Sequence, residues 1–316
     1  MKKFLYVIFA LISALSLCAC SGNVAPVSVD NPPPWSGANT ESAYEKTVYS
    51  IKKTDNETNE VIAEGSLTYV LEFDHKGENN NFNYSRLTMD MSITYNDKAP
   101  ETDRGKTDTL NSKVIFQSDA LVPQYSEKTV SLALREGVAD HSYTLKNDYS
   151  AQKSELTMAG KETSVLDFSG KSFVNVYDNE MLYYTVRAFS DIKAGGGNTF
   201  TLANFFDMHV KNKFSTYSMR FACGEEGSEQ TVYLPFKGTY LDDQGSATVL
   251  KVSVSINESL SGPPTELYFS MTPFKTGENT STKKVLVSFK TFEYNLSNSN
   301  LRYTTEYNIT DYSVTP

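Results

Sequence analysis

Most of the chain alternates apolar with polar side chains, the period-two pattern of half-buried strands. Leu67, Tyr69 and Leu71 alternate with polar residues, and Met89 and Met91 repeat the pattern after a turn-rich stretch. Two such runs joined by a polar loop predict an antiparallel hairpin with one solvated face. Further alternating runs occur at Val130–Leu134, Phe173–Tyr177, Tyr217–Cys223, Val232–Phe236, Leu250–Ile256, Leu267–Met271, Val285–Phe289 and Leu301–Ile309. We therefore predict a mainly β fold, either a large curved antiparallel sheet or a partly closed barrel.

The period changes in one place, the stretch Asp178–Phe189. Leu182, Val186 and Phe189 stand four and three residues apart, a spacing that lines up one face of a helix. Asp178 is a suitable N-cap for it. Because little of its circumference is polar, we expect this one principal helix to be buried on the concave side of the sheet.

Two interpretations of this helix stay open. In the first, core side chains fill the space on both of its sides. In the second, five residues line a hollow that accepts an acyl chain or a similar apolar group: Leu182, Tyr183, Tyr184, Val186 and Phe189. Replacing Phe189 with Ala separates the two, because only a filled core would lose much stability.

The N-terminal stretch reads as an export leader. Lys2 and Lys3 precede an apolar run, 4–17, that is too short for a mature transmembrane span. The run ends at Leu17-Cys18-Ala19-Cys20, which resembles the lipobox of bacterial lipoproteins. This resemblance implies cleavage before Cys20, its acylation by fatty acids such as palmitate, and anchoring to the cell membrane or outer membrane on the extracytoplasmic side. Plain secretory cleavage that leaves Cys20 free is the alternative.

Three segments follow from this interpretation. They are a lipoprotein signal peptide at 1–19, a lipidated Cys20 with a Pro-rich tether at 20–40, and a β-rich extracytoplasmic domain at 41–316. Asn31–Pro34 favours an extended polyproline conformation in the tether. Because no Pro- or Gly-rich linker divides the remainder, we expect one domain, with two lobes as the alternative.

The charge limits the classes of partner, and the cysteine content limits the covalent links that the chain can form. Loss of two lysines with the leader takes the net charge from −9 to −11, which argues against nucleic acid and anionic lipid head groups as partners. A hydrophobic content of 39%, with 18 Phe and 20 Tyr, supplies a core. With Cys20 acylated, only Cys223 remains, so no intramolecular disulfide is expected. Cys223 shares a strand face with Met219 and Phe221, which indicates a buried, unreactive thiol.

The helical stretch also carries a family resemblance. Asp178, then Leu182-Tyr183-Tyr184, then Val186-Arg187, a Gly-containing loop and Phe200 resemble an uncharacterised family of bacterial envelope proteins. In that family a short helix interrupts a long antiparallel sheet. The layout is also similar to the half-barrel lipoprotein carriers, LolA and its relatives, in which helices close a curved sheet around an apolar hollow. The resemblance implies no catalytic residues.

Few residues form a chemical motif. His75 and His141 lie in polar turns, and only Asp207-x-His209 resembles a ligand pair, because these two side chains would share a face on a strand. A third ligand is missing from this pair, so we predict no metal and no cofactor. Neither a nucleophile elbow nor a phosphate-binding Gly-rich loop is present in the sequence. We therefore predict that the protein is not an enzyme.

Two function classes fit these features best. The first is a non-catalytic, lipid-anchored protein that binds or carries an apolar small molecule or lipid in a half-barrel hollow. The alternative is a structural or adhesive cell-surface lipoprotein, which needs only an exposed face. A sheltered apolar hollow beside the helix is the feature that distinguishes them.

Overall fold

The computed structural model describes most of the chain, in the ranges 44–76, 83–118, 120–134, 140–171, 173, 176–214, 216–236, 241, 245–256, 264–275, 281–282, 284–294 and 300–315. The predicted leader at 1–19, Cys20 and the tether at 20–40 lie outside the described residues. Lipidation of Cys20 therefore stays a prediction. Neither of the described α-helices has the length and apolar character needed to cross a membrane.

Eighteen strands and two short α-helices make up the described fold. The strands are β1 (Tyr44–Asp55), β2 (Glu60–Lys76), β3 (Asn83–Tyr95), β4 (Thr107–Gln117), β5 (Pro123–Ser131), β6 (Tyr143–Asp148), β7 (Lys153–Met158), β8 (Ser164–Asp167), β9 (Val176–Asp178), β10 (Gly197–Ala203), β11 (Thr216–Cys223), β12 (Gln230–Tyr233), β13 (Ser246–Ile256), β14 (Thr265–Ser270), β15 (Phe274–Lys275), β16 (Ser281–Thr282), β17 (Leu286–Tyr294) and β18 (Leu301–Thr315). The helices are α1 (Leu182–Arg187) and α2 (Phe205–Lys211), and a 3₁₀ turn, Asn179–Met181, precedes α1.

Sixteen of the strands form one sheet. Its strand order is β8-β7-β6-β5-β4-β3-β2-β1-β18-β17-β14-β13-β11-β10-β9, with β12 beside β13. Paired strands run antiparallel, except β9 and β10, which run parallel. β15 and β16 form a separate two-stranded ribbon. The prediction of a mainly β fold built on a large antiparallel sheet is therefore confirmed.

The sheet must curl, because its two ends are neighbours along the chain. β8 and β9 stand at opposite ends of the strand order, yet only residues 168–175 separate them. With strands about 4.8 Å apart, a flat sheet in this order would place β8 and β9 about 67 Å apart. Eight connecting residues reach only about 30 Å when fully extended. The sheet therefore wraps into an open, curved half-barrel.

The predicted hairpin is β2 and β3. Leu67 lies opposite Met91, so the alternating apolar side chains of both strands share the inner face. Gly65 is required by a close approach between the strands. A Cβ atom at Gly65 would lie 2.0 Å from the carbonyl oxygen of Ser92, which no side chain could accommodate without displacing β3.

Aromatic rings are prominent in the core inside the curl. The largest fully buried side chains are all Tyr or Phe, namely Tyr49, Tyr95, Tyr177, Tyr217, Tyr307, Tyr312, Phe116, Phe168, Phe189, Phe200, Phe205 and Phe221. Burying an aromatic side chain of this size stabilises a fold by about 1.5–3 kcal/mol. The high Phe and Tyr content of the sequence therefore forms the core.

The predicted helix is present, but it is shorter than expected. Asp178 caps it as predicted, because its Oδ1 accepts a hydrogen bond from the backbone N–H of Glu180 at 2.8 Å. The first turn is 3₁₀, and α-helical geometry covers only Leu182–Arg187. The backbone N–H of Ala188 still bonds to Tyr184 and Thr185, so the last turn tightens before the chain leaves the helix.

α2 was not predicted from the sequence, although its cap is visible there. The Asn204 side chain accepts a hydrogen bond from the backbone N–H of Asp207 at 3.2 Å, and Asn212 ends the helix in a left-handed conformation. The interpretation of Asp207-x-His209 as a ligand pair on one strand face is wrong. On a helix, residues two apart point to different sides.

Candidate functional site

A half-open cavity of about 50 Å³ lies between α1 and the inner face of the sheet. Most of its lining comes from strands near the middle of the strand order, and the rest comes from the helical segment. Aromatic and aliphatic side chains predominate, with three charged groups among them. The lining residues are Glu45, Thr47, Tyr49, Tyr69, Leu71, Leu87, Glu180, Tyr183, Tyr184, Arg187 and Leu286.

Three tyrosine rings in the cavity wall adjoin one another. The rings of Tyr49 and Tyr69 are perpendicular, with centroids 6.0 Å apart. The ring of Tyr183 stands nearly perpendicular to that of Tyr69 at 6.3 Å, and it also packs on Phe289 at 4.8 Å. Burial raises the pKa of the Tyr69 hydroxyl well above its ordinary value. The wall therefore presents uncharged aromatic surfaces at neutral pH.

A buried ion pair joins α1 to β1 at the cavity. The guanidinium of Arg187 donates two hydrogen bonds to the carboxylate of Glu45, at 2.7 and 3.1 Å. Both side chains are more than nine-tenths buried. Burial opposes the charge of Arg187, but the carboxylate of Glu45 outweighs it and raises the pKa of the guanidinium. This bidentate geometry fixes how the helix is rotated against the strand.

Glu180 is a second buried carboxylate in the lining. Its side chain is 6% exposed, and its Oε1 accepts a hydrogen bond from Lys128 Nζ at 3.2 Å. Its Oε2 is buried and makes no hydrogen bond within the described residues. Burial raises the pKa of Glu180, although Lys128 and the neighbouring Asn179 favour its charged form.

Asp178 does not line the cavity but joins the helical segment to β5 and to the residue that follows β6. Its Oδ2 accepts hydrogen bonds from Ser126 Oγ, at 2.6 Å, and from the hydroxyl of Tyr149. These bonds and the cap bond to Glu180 favour the charged carboxylate. Burial outweighs them and raises the pKa of Asp178.

Polar side chains continue from Ser126 to His209 on α2. Asn147 donates to Ser126 at 2.8 Å, and Ser154 donates to Asn147 at 2.6 Å. Since the Ser154 hydroxyl hydrogen is used in this way, its contact with His209 Nε2 at 2.8 Å makes His209 the donor. His209 Nδ1 then accepts from Ser164 at 3.0 Å. The chain of bonds ties α2 to β7 and β8, across the gap between the ends of the sheet.

The contact between Ser154 and His209 does not have the features of a nucleophile and its base. Ser154 is fully buried, so a substrate has no access to its hydroxyl. A general base must also accept the proton of the nucleophile, whereas His209 Nε2 donates here. Burial lowers the pKa of His209, which keeps the imidazole neutral. The pair therefore acts as a structural contact.

Only two of the five residues predicted to line a hollow belong to the lining of the cavity. Tyr183 and Tyr184 line the cavity. Leu182, Val186 and Phe189 do not belong to its lining; all three are buried in the core.

Phe189 packs against two rings of the sheet. Its ring contacts those of Phe200 and Phe221 at centroid distances of 5.7 and 5.0 Å, and these two rings also contact each other at 6.4 Å. Around Phe189, the space on that side of the helical segment is therefore filled by core side chains.

Several lining residues escaped the sequence analysis. Glu45 and Tyr49 belong to β1, a strand that was not predicted, and Tyr69 was assigned only to a strand face. Arg187 was noted in the family pattern without a role. Arg187 follows Tyr183 by four residues, so both lie on one helix face, and this spacing could have identified Arg187 as a lining residue.

Within the ranges that the structure covers, no three His, Cys, Asp or Glu side chains come together as a metal site. Asp207 instead accepts a hydrogen bond from the Tyr217 hydroxyl and pairs with Lys211 at 2.7 Å. Asp207 thus pairs within α2 through Lys211 and joins α2 to β11 through Tyr217.

The chain has a distant structural likeness to a solved protein structure. No family model matches the sequence, and no curated protein sequence matches it. A crystal structure from Brucella abortus, described as a β-barrel-like protein of domain of unknown function DUF1849, resembles this chain with a TM-score of 0.49 and 9% identity. The likeness covers 87% of this chain and 98% of that one. A likeness this distant says nothing about what this chain does.

Proposed function

We propose that this chain is a lipid-anchored, non-catalytic binding protein on the extracytoplasmic side of a bacterial membrane. Cys20 carries the lipid, and the cavity beside α1 holds an apolar part of a small ligand. The observation that carries the proposal is the half-open cavity with four tyrosines and three leucines in its lining. Concave sites lined mainly by apolar and aromatic side chains, with a few polar groups, are typical of small-molecule sites.

The size of the cavity limits what it holds. An engineered cavity of about 150 Å³ accepts benzene, whereas this one measures about 50 Å³. An entire acyl chain does not fit into that volume. The cavity accommodates one end group of a ligand, and the remainder extends through its open side.

The anchor is tested by fractionation. In the Cys20→Ser variant, we expect the protein to leave the membrane fraction and to appear as a soluble or unprocessed chain. Cys223→Ser is the matched control and should stay with the membranes, because Cys223 lies in the folded domain. A processed Cys20→Ser chain that still fractionates with membranes would show that the lipobox interpretation is wrong.

The ligand is tested by native mass spectrometry of the full chain, purified gently from its own host. We expect an additional non-covalent mass on the wild-type protein, lost from Leu286→Trp, in which a larger side chain fills the cavity. Leu145→Trp, in the core but outside the cavity lining, is the control and should retain the mass if it folds. Absence of a ligand from every wild-type preparation would favour the structural or adhesive alternative.

A further inference from the structure

The charged groups that line the cavity are two carboxylates, on Glu45 and Glu180, and one cation, Arg187. Arg187 is engaged by Glu45 through two hydrogen bonds. Lys128 pairs with Glu180 from outside the lining, through Oε1. The lining itself therefore carries more negative than positive charge, which a positively charged ligand would complement.

We propose, on the basis of the function proposed above, that the end group held in the cavity is a small organic cation, an ammonium or methylated ammonium. It lies against the rings of Tyr49, Tyr69 and Tyr183 and beside the Glu180 side chain. The rest of the ligand is apolar and extends out of the open side.

The aromatic wall supports this choice of ligand. A cation within about 6 Å of the face of an aromatic ring is attracted by the ring quadrupole, and groups of aromatic rings recognise quaternary ammonium ions in this way. The three rings are uncharged and adjoin one another at centroid distances of 6.0 and 6.3 Å. A cation in the cavity that they line therefore approaches more than one ring.

Glu180 supplies the electrostatic part of the site. Its side chain is nine-tenths buried and lines the cavity, and its Oε2 makes no hydrogen bond within the described part of the chain. A ligand ammonium would compensate the carboxylate, through a hydrogen bond where it carries an N–H and through its charge alone where it is fully methylated, whereas a hydrocarbon group would do neither.

An anionic end group fits the site poorly. The guanidinium of Arg187 already donates two hydrogen bonds to Glu45, so most of its capacity to bind an anion is engaged. An anion in the cavity would also stand close to two carboxylates. The volume of about 50 Å³ suits a compact ammonium group rather than a ring system.

The first test compares two probes of the same shape on the full wild-type chain in detergent. Choline carries a quaternary ammonium, and 3,3-dimethyl-1-butanol is its neutral isostere. By isothermal titration calorimetry, we expect choline to bind about tenfold more tightly, or better, because only choline gains the cation–π and carboxylate contacts. Equal affinities would overturn the cation proposal and leave the apolar binding site standing.

The second test assigns the preference to its residues. Glu180→Gln keeps the side-chain shape and removes the charge, so we expect it to lose the preference for choline over the isostere. Glu293→Gln is the matched control, because Glu293 is a buried carboxylate paired with Lys53 outside the cavity lining. Tyr183→Leu should weaken choline binding more than binding of the isostere, and it decides the matter if Glu180→Gln fails to fold.

The failures of the two proposals are distinguishable. If neither probe binds and no ligand accompanies the protein from its host, the cavity is not a binding site and both proposals fall. If choline is preferred but Glu180→Gln and Tyr183→Leu both retain the preference in folded protein, the cation binds elsewhere and the assignment to this cavity is wrong.

Discussion

Replacing Phe189 with Ala tests whether the helical segment is held by a filled core on the side away from the cavity. The Phe189 side chain is fully buried, and its ring lies 5.7 and 5.0 Å from the rings of Phe200 and Phe221. Truncating a buried Phe to Ala typically costs about 3–5 kcal/mol, through lost burial and the cavity that remains. Each aromatic pair contributes about 0.5–1.5 kcal/mol beyond burial. Because two such pairs are lost, we expect the upper half of the range.

The measurement is urea denaturation of the full chain, followed by tyrosine fluorescence and circular dichroism. The midpoint should fall while the slope stays constant, because the surface exposed on unfolding is nearly the same. Phe214→Ala is the matched control; Phe214 is only partly buried, so its truncation should cost clearly less. A cost below about 1.5 kcal/mol for Phe189→Ala, with altered ligand retention, would refute the filled-core reasoning and favour a hollow on that side.

Three further predictions concern two buried charged groups and one partly buried thiol. Arg187→Met should destabilise the fold by about 3–5 kcal/mol, because Glu45 is left buried without its cation. The double variant Arg187→Met with Glu45→Leu should recover most of that loss in a double-mutant cycle, and additive costs of the two substitutions would contradict this. The pKa of Asp178 is raised in the folded state. Its contribution to the free energy of unfolding is therefore fully present below about pH 4 and is lost as pH rises through the folded-state pKa. The urea midpoint of wild type, measured relative to that of Asp178→Asn, should fall as pH rises, and an increase would contradict this prediction. Burial raises the pKa of Cys223, so a maleimide at neutral pH should react slowly until urea unfolds the chain, and equal rates in both conditions would show an exposed thiolate.

The hairpin of β2 and β3 could be predicted because its inner face is almost purely apolar. β1 alternates just as regularly, but the side chains that it buries are Glu45, Thr47, Tyr49, Ile51, Lys53 and Asp55. A pattern search that equates buried with apolar passes over such a strand. The charged residues can lie inside because partners from elsewhere in the chain meet them. Those partners follow from the sheet order, which the local pattern does not contain.

The candidate site was even harder to predict from the local pattern of the sequence. Tyr183 and Tyr184 could be predicted as lining residues because helical spacing places them beside an apolar face. Tyr49 and Tyr69 are two tyrosines among 20, and only the curl of the sheet brings them to the helix. Phe189 fits the same helical pattern as the lining residues, yet it packs into the core. Periodicity indicates which side of an element is buried, not which neighbour covers it.

The buried ion pairs on the inner face of β1 explain why the cavity keeps its shape. Glu45 pairs with Arg187 of α1, Lys53 with Glu293 of β17 at 2.6 Å, and Asp55 with Arg302 of β18 at 2.8 Å. Such pairs add little net stability, because desolvation offsets their attraction, but breaking one is costly. Any arrangement that shifts the helix or slides these strands would separate at least one pair. We therefore infer that β1 positions the helical segment against the sheet, so that the aromatic wall and Glu180 are in place before a ligand arrives.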